Sequence, residues 1–152
     1  VAMGLHMLYQ LRLTYGFEYI LILALATFGT DTGAYFTGMF FGKHKLNPRL
    51  SPKKTIEGSL GGMLLGTVLS VAYGAYIQVN IPISLLIAIC FVLTITSQIG
   101  DLTFSSIKRT FEVKDYSQLL PGHGGVLDRF DSILFNAMVF GLLLHFVAMV
   151  VA

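Results

Sequence analysis

From Gly58 to Gly100 the chain carries no charged side chain, and from Ser132 to Ala152 it again carries none. The charges are gathered elsewhere: of the 10 Lys and Arg and 8 Asp and Glu, all but Arg12 and Glu18 lie within 31–57 and 101–131. Long uncharged stretches alternating with short polar windows are the pattern of membrane spans joined by working loops. Four spans follow from it, at about 17–42, 58–79, 81–100 and 128–152. A helix rises about 1.5 Å per residue, so roughly 20 residues cross a hydrocarbon core of about 30 Å. The second and third spans therefore cross once each, divided by Asn80 as a helix cap and Pro82 in a first turn. Residues 1–16 show no clear period and read as a short interfacial piece. The glycines at 29, 33, 38, 58, 61, 62 and 66 read as positions where helix backbones approach closely in lipid. The predicted fold class is all-α, a polytopic membrane helix bundle of about four transmembrane helices, forming one domain over 1–152.

Composition agrees. The chain is 55% hydrophobic and 12% charged, where a soluble domain has about a quarter of its residues charged. A net charge of +2 is too mild to argue for a nucleic-acid partner. The single cysteine, Cys90, sits in an apolar run and excludes an intrachain disulfide. The chain opens on Val1 without a basic-then-apolar leader, so a piece of something longer is expected. Lys43, Lys45, Arg49, Lys53 and Lys54 lie together between the first two spans and place that loop in the cytoplasm. Two crossings later, the segment with Lys108, Arg109 and Lys114 returns to the same side. Both charged windows thus face one compartment, as a shared site requires.

The chemistry resides in these windows. Asp101 ends an apolar span, and Ser105 and Lys108 follow at i+4 and i+7, on one face if the helix continues. The turn Pro121-Gly122-His123-Gly124-Gly125 comes next, then Asp128 and Asp131, three apart at the start of the last span. Carboxylates near a helix N-terminus are favoured by the helix dipole alone. Several of them at a membrane boundary nevertheless repel one another unless a cation intervenes. Hard oxygens without paired cysteines or HxxxH spacing suit Mg²⁺ better than zinc. Window 31–57 is the complement, with five basic residues against two acidic, where 101–131 has four against five. Lysines for phosphate oxygens and carboxylates for a metal are the division that an anionic substrate needs. Ser51-Pro52-Lys53-Lys54-Thr55 precedes a span, where free N–H groups favour a phosphate. The glycines at 122, 124 and 125 offer N–H groups to another. Lys43 and Lys45 read as topogenic charge, Lys53 and Lys54 as substrate contacts. Asp31 stands within the first apolar span, where an ionisable group is costly and functional by default, with Thr30 and Thr32 as further oxygen donors. His145, deep in the last span, reads as packed or hydrogen-bonded, and His123 as the histidine with a role.

These residues form a recognisable pattern. Ser105-x-Ile107-Lys108-Arg109, then Lys114-Asp115, then Pro121-x-His123-Gly124-Gly125-x-x-Asp128-Arg129-x-Asp131 resembles the signature of phosphatidate cytidylyltransferases, the CDP-diacylglycerol synthases. Asp31-Thr32-Gly33-Ala34-Tyr35 and Ser51-Pro52-Lys53-Lys54-Thr55-Ile56-Glu57-Gly58 are similar to further blocks of that family. One departure is Phe104, where many members carry glutamate, which leaves that duty to Asp101, Asp128 and their neighbours. The resemblance covers nearly all of the chain, and implies that it is the C-terminal catalytic part of a longer enzyme with further N-terminal spans.

The implied reaction is attack of a phosphatidic acid oxygen on the α-phosphorus of CTP, giving CDP-diacylglycerol and pyrophosphate. The resemblance implies Asp101, Asp128, Asp131 and Asp31 as metal ligands for Mg²⁺, with a second metal ion compatible. It implies Lys53, Lys54, Lys108, Arg109 and Lys114 as phosphate contacts, and Ser105 with the His123-Gly124-Gly125 loop as further substrate contacts. A homodimer in the bacterial inner membrane, with the site facing the cytoplasm, completes the expectation. Other membrane CTP enzymes, a polyprenol kinase or an archaeal-lipid cytidylyltransferase, share this logic and differ in acceptor. A transporter or ion channel with Asp31 as midplane binding residue is the reading from another class. It requires charges facing each other at mid-depth, whereas the other acidic residues stand at the boundary.

Overall fold

Segments this apolar must satisfy their backbone N–H and C=O groups internally, and in lipid a helix is the local way to do so. The computed structural model describes residues 2–47, 51–111 and 127–151, apart from the side chains of 52, 53, 127–129, 131, 150 and 151. In order these form α1 (Ala2–Thr14), α2 (Phe17–Phe41), β1 (Lys45–Asn47), β2 (Ser51–Thr55), α3 (Ile56–Tyr76), α4 (Ile83–Thr110) and α5 (Leu127–Val151). Helices α2 to α5 each contain a stretch long and apolar enough to cross a membrane. The all-α polytopic bundle expected from the charge pattern is therefore the architecture found, and the chain is an integral membrane protein.

Three local features differ from the sequence reading. Residues 2–14 form a regular helix seated on α5, with Leu11 2% exposed. Its apolar period is weak because its buried positions are Gly4 and Leu11 alone. Gly4 rests on the backbone of α5, where an added Cβ would come 2.8 Å from the Leu134 carbonyl oxygen. At the turn between α3 and α4 the cap is Pro82 itself, with no side-chain bond, so Asn80 does not cap α4. The chain reverses there through Gln78 at φ 52 and a bond from Val79 N–H to Gly74 O at 3.2 Å. Finally, β1 and β2 make an antiparallel hairpin in register Lys45↔Thr55 and Asn47↔Ser51. Its strands are short and polar, so no alternation announced them.

Lipid is as apolar as leucine, so packing and hydrogen bonds must hold the spans together. Between α2 and α3 glycines allow the approach: a Cβ on Gly62 would lie 2.5 Å from Thr30 O, and one on Gly33 3.0 Å from Gly62 Cα. The core joins Ile22, Leu23 and Ala26 of α2 to Leu86, Leu93 and Cys90 of α4 and Ala137, Phe140 and Leu144 of α5. A polar junction is set into it. Asn136 Nδ2 donates to Thr27 Oγ1 at 2.9 Å and to Leu93 O at 3.0 Å, and Thr96 Oγ1 donates to Asn136 Oδ1 at 2.5 Å. One side chain of α5 thereby ties α2 and α4.

Candidate functional site

Where α2 and α4 meet the hairpin and the start of α3 there is a cavity of about 380 Å³. Asp31, Tyr35 and Met39 reach it from α2, spaced i, i+4 and i+8 along one face. Leu46 comes from β1, Lys54 and Thr55 from β2, Gly58 and Ser59 from α3, and Gln98 and Asp101 from α4. Local chemistry sets this arrangement. Thr55 ends β2 in an extended conformation and caps α3, its Oγ1 accepting from Gly58 N–H at 3.1 Å. The strand thus runs into the helix without a linker, and Lys54 is held one residue before the cap.

The hairpin is latched from the first turn of α3. The Glu57 carboxylate accepts from the main-chain N–H of Lys43 at 3.1 Å and of His44 at 3.2 Å, and lies 2.7 Å from His44 Nδ1. A carboxylate only accepts, so the imidazole carries a proton on Nδ1. The Ile56 N–H donates to His44 O at 2.9 Å and closes the same corner.

In the cavity wall Lys54 Nζ donates to Asp101 Oδ2, forming an ion pair whose side chains are 28% and 29% exposed. One turn earlier on α4, Gln98 Nε2 donates to Ser59 O at 2.9 Å while Gln98 Oε1 accepts from Ser59 Oγ. The lining donors are hard oxygens: the carboxylates of Asp31 and Asp101, the hydroxyls of Thr55 and Ser59, and the Gln98 carboxamide. The two carboxylates suit a hard divalent cation, with Lys54 beside Asp101 for an anion. Among the described residues no three His, Cys, Asp or Glu side chains come together.

Of the residues singled out by sequence, Asp31, Lys54 and Asp101 are brought into this one cavity. Asp31 is not enclosed in the bundle: it is exposed and lines the cavity in the second half of α2. Thr30, by contrast, is buried and donates to Ala26 O at 2.6 Å within its own helix, so its hydroxyl is turned away from ligand duty. Helix α4 does continue past Gly100, carrying Ser105 and Lys108, both half-buried, and Arg109, exposed, beyond Asp101. None of these three lines the cavity. Lys43 and Lys45 are exposed and stand outside it. His145 is exposed on the outer face of α5, beside buried Leu144, and is not packed as the sequence suggested.

Lys53 lies on β2, and Asp128, Arg129 and Asp131 lie in the first turns of α5, with their side chains outside the described residues. Lys114, His123, Gly124 and Gly125 also fall outside them. Sequence reasoning passed over Ser59, Gln98, Glu57 and the capping role of Thr55. Gln98 did carry a signal, as an amide three residues before an aspartate in an otherwise uncharged span.

Residues 1–147 match the family described as the cytidylyltransferase family. The chain is 44% identical over 144 residues to a phosphatidate cytidylyltransferase of Staphylococcus saprophyticus, covering 95% of this chain and 55% of that protein. It is 46% identical over 121 residues to a phosphatidate cytidylyltransferase of Bacillus subtilis, covering 80% of this chain and 45% of that one. A Staphylococcus aureus protein of the same name is 42% identical over 144 residues, with 95% and 55% covered. The chain thus spans about half the length of the relatives it matches.

Proposed function

The chain belongs to the cytidylyltransferase family, and we propose that it supplies the catalytic part of an enzyme that transfers a cytidylyl group from CTP to phosphatidic acid. The products are CDP-diacylglycerol and pyrophosphate, in phospholipid biosynthesis. The observation that carries this reading is the pairing of Lys54 with Asp101 in a cavity that also has an apolar side, made of Ala34, Tyr35, Met39 and Leu46. A reaction between a lipid phosphate and a nucleotide needs all three: a cation for phosphate, a carboxylate, and a wall compatible with a glycerolipid.

Both substrates are anions, so mutual repulsion opposes their approach and charge builds on the leaving group. The phosphate of phosphatidic acid is already ionised, so no side chain has to act as nucleophile or generate one. One of its oxygens attacks the α-phosphorus, the bond to the bridging oxygen breaks, and the electron pair leaves on pyrophosphate. Lys54 holds a phosphate oxygen and offsets charge there. Lys53, Lys108, Arg109 and Lys114 are assigned to the remaining phosphate oxygens, and Ser105 with His123, Gly124 and Gly125 to the nucleotide. Asp101, Asp128, Asp131 and Asp31 are assigned as ligands of Mg²⁺, with which a second ion is compatible. When bound, the metal supplies charge neutralisation and a template for in-line geometry. The basic residues around the hairpin support a site on the cytoplasmic side, where CTP enters from water and phosphatidic acid from the leaflet. The bacterial inner membrane is the assigned location, in keeping with bacterial relatives.

The test is incorporation of labelled CTP into lipid by membranes expressing this chain, with and without phosphatidic acid and Mg²⁺. A parallel form joins it to the part of the Staphylococcus saprophyticus relative that it does not cover. Label in CDP-diacylglycerol that requires both additions supports the reading. Label that appears only with a polyprenol or an archaeal lipid acceptor transfers the assignment to that lipid. No label from either form with any acceptor overturns it.

A further inference from the structure

One turn before Asp101 on α4 stands Gln98. Gln98 is 8% exposed and lies in a membrane-spanning helix, where a buried amide without partners is costly. Both ends of its carboxamide are engaged by the same residue, Ser59, through the hydroxyl and the main-chain carbonyl. The carbonyl can only accept, so it settles which end of the amide is nitrogen. A bond to main chain is also insensitive to the rotamer of Ser59, so the clamp holds the backbone of α3 itself.

Ser59 stands four residues after the cap Thr55 and five after Lys54, while Gln98 stands three before Asp101. The clamp therefore joins the two helices one turn from the Lys54–Asp101 pair. Helix α4 is fixed on another side at the same level. A Cβ added to Gly100 would come 3.0 to 3.2 Å from the ring and Cβ of Phe135 on α5. Helix α4 is thus bonded to α3 at residue 98 and packed against α5 at residue 100, in the turn that leads to Asp101.

We infer that Gln98 is a positioning residue: its clamp on Ser59 sets where the Asp101 carboxylate stands relative to Lys54 and so to the reacting phosphates. This rests on the cytidylyl-transfer reading for its kinetic consequence, though not for its geometry. A misplacement of about 1 Å in such a constellation costs about a hundredfold in rate. Gln98→Met keeps the volume and removes both bonds. Gln98→Glu keeps the size and loses the donor to Ser59 O. Ser59→Ala removes only the hydroxyl and leaves the carbonyl.

The experiment uses full-length enzyme in liposomes, with steady-state kinetics in CTP and thermal unfolding of each variant. Gln98→Met is expected to lower kcat about ten- to a hundredfold with KM for CTP within about threefold. Ser59→Ala, which keeps the carbonyl acceptor of the clamp, should lower kcat less than Gln98→Met does. Gln98→Glu, which serves if the methionine variant does not insert, should follow the methionine variant. A kcat equal to wild type in either Gln98 variant overturns the inference. So does a lowered melting temperature with wild-type kcat well below it, the mark of a purely structural residue. An activity-free arm separates this from failure of the assigned reaction. Lys54→Met is combined with Gln98→Met, and the melting shifts are compared with those of the single variants. Non-additive shifts support a clamp that sets the ion pair, and strictly additive ones overturn it.

Discussion

Lys54 and Asp101, 47 residues apart in the chain, meet as an ion pair in the wall of the cavity. A carboxylate that holds an ammonium group can equally hold a divalent cation, and the ammonium a phosphate, so the pair is suited to exchange partners with substrate. On the proposed reaction, Asp101→Asn removes the charge and keeps the shape. It is expected to lower cytidylyl transfer by at least about a hundredfold with membrane insertion intact. Asp128→Asn should behave alike. Labelled CTP incorporation, set beside the amount of enzyme in the membrane, measures both.

Lys43 is the contrasting cation. Its described contact is through its main-chain N–H, which donates to Glu57 and survives truncation of the side chain. Lys43→Ala should therefore change transfer by less than about twofold. A loss as large as that of Asp101→Asn would show that a charge read as topogenic belongs to the site.

Glu57 acts at the same open end of the hairpin, through its side chain. Truncating it leaves the N–H groups of Lys43 and His44 without their carboxylate and frees the corner that delivers Lys54. Glu57→Ala is expected to raise KM for CTP about five- to tenfold. His44→Ala, which keeps both main-chain bonds, should raise it less than about twofold. Initial rates across a CTP series distinguish the two variants.

The junction at Asn136 concerns stability. Thr27 donates to Leu23 O, and the Thr96 hydroxyl can turn to Val92 O instead, so both keep a partner when the amide is removed. Asn136→Leu should therefore cost only about 1–2 kcal/mol. Thermal unfolding in detergent would show this as a lowered midpoint, with transfer unaffected well below it.

Packing without a hydrophobic drive makes the α2–α3 seam intolerant of bulk. Gly62→Ala puts a methyl group 2.5 Å from Thr30 O, which is main chain and cannot rotate away. A cost of about 1–3 kcal/mol is expected. Leu64→Ala, on the exposed side of the same helix, should cost under about 0.5 kcal/mol. The difference between their unfolding midpoints checks the seam.

The bundle itself could be read from the chain, because the bilayer imposes a rule on sequence. Charges cannot be scattered through a span, so the uncharged stretches 58–100 and 132–152 reported the helices before any contact was known. Asp31, Lys54 and Asp101 were legible for the same reason, as ionisable groups within or at the edge of spans, where such groups are rare. Helix α1 and the hairpin were hidden, since two buried residues leave no period and three or five polar residues leave no alternation. The partners of Gln98, Glu57 and Asn136 were hidden more deeply. Each is an ordinary polar side chain whose role depends on which helix lies opposite, across 39, 13 and 109 residues of chain. Solvation acts on each residue singly and so is written along the sequence. Hydrogen bonds between spans act on pairs, and the pairs come into being only when the helices pack.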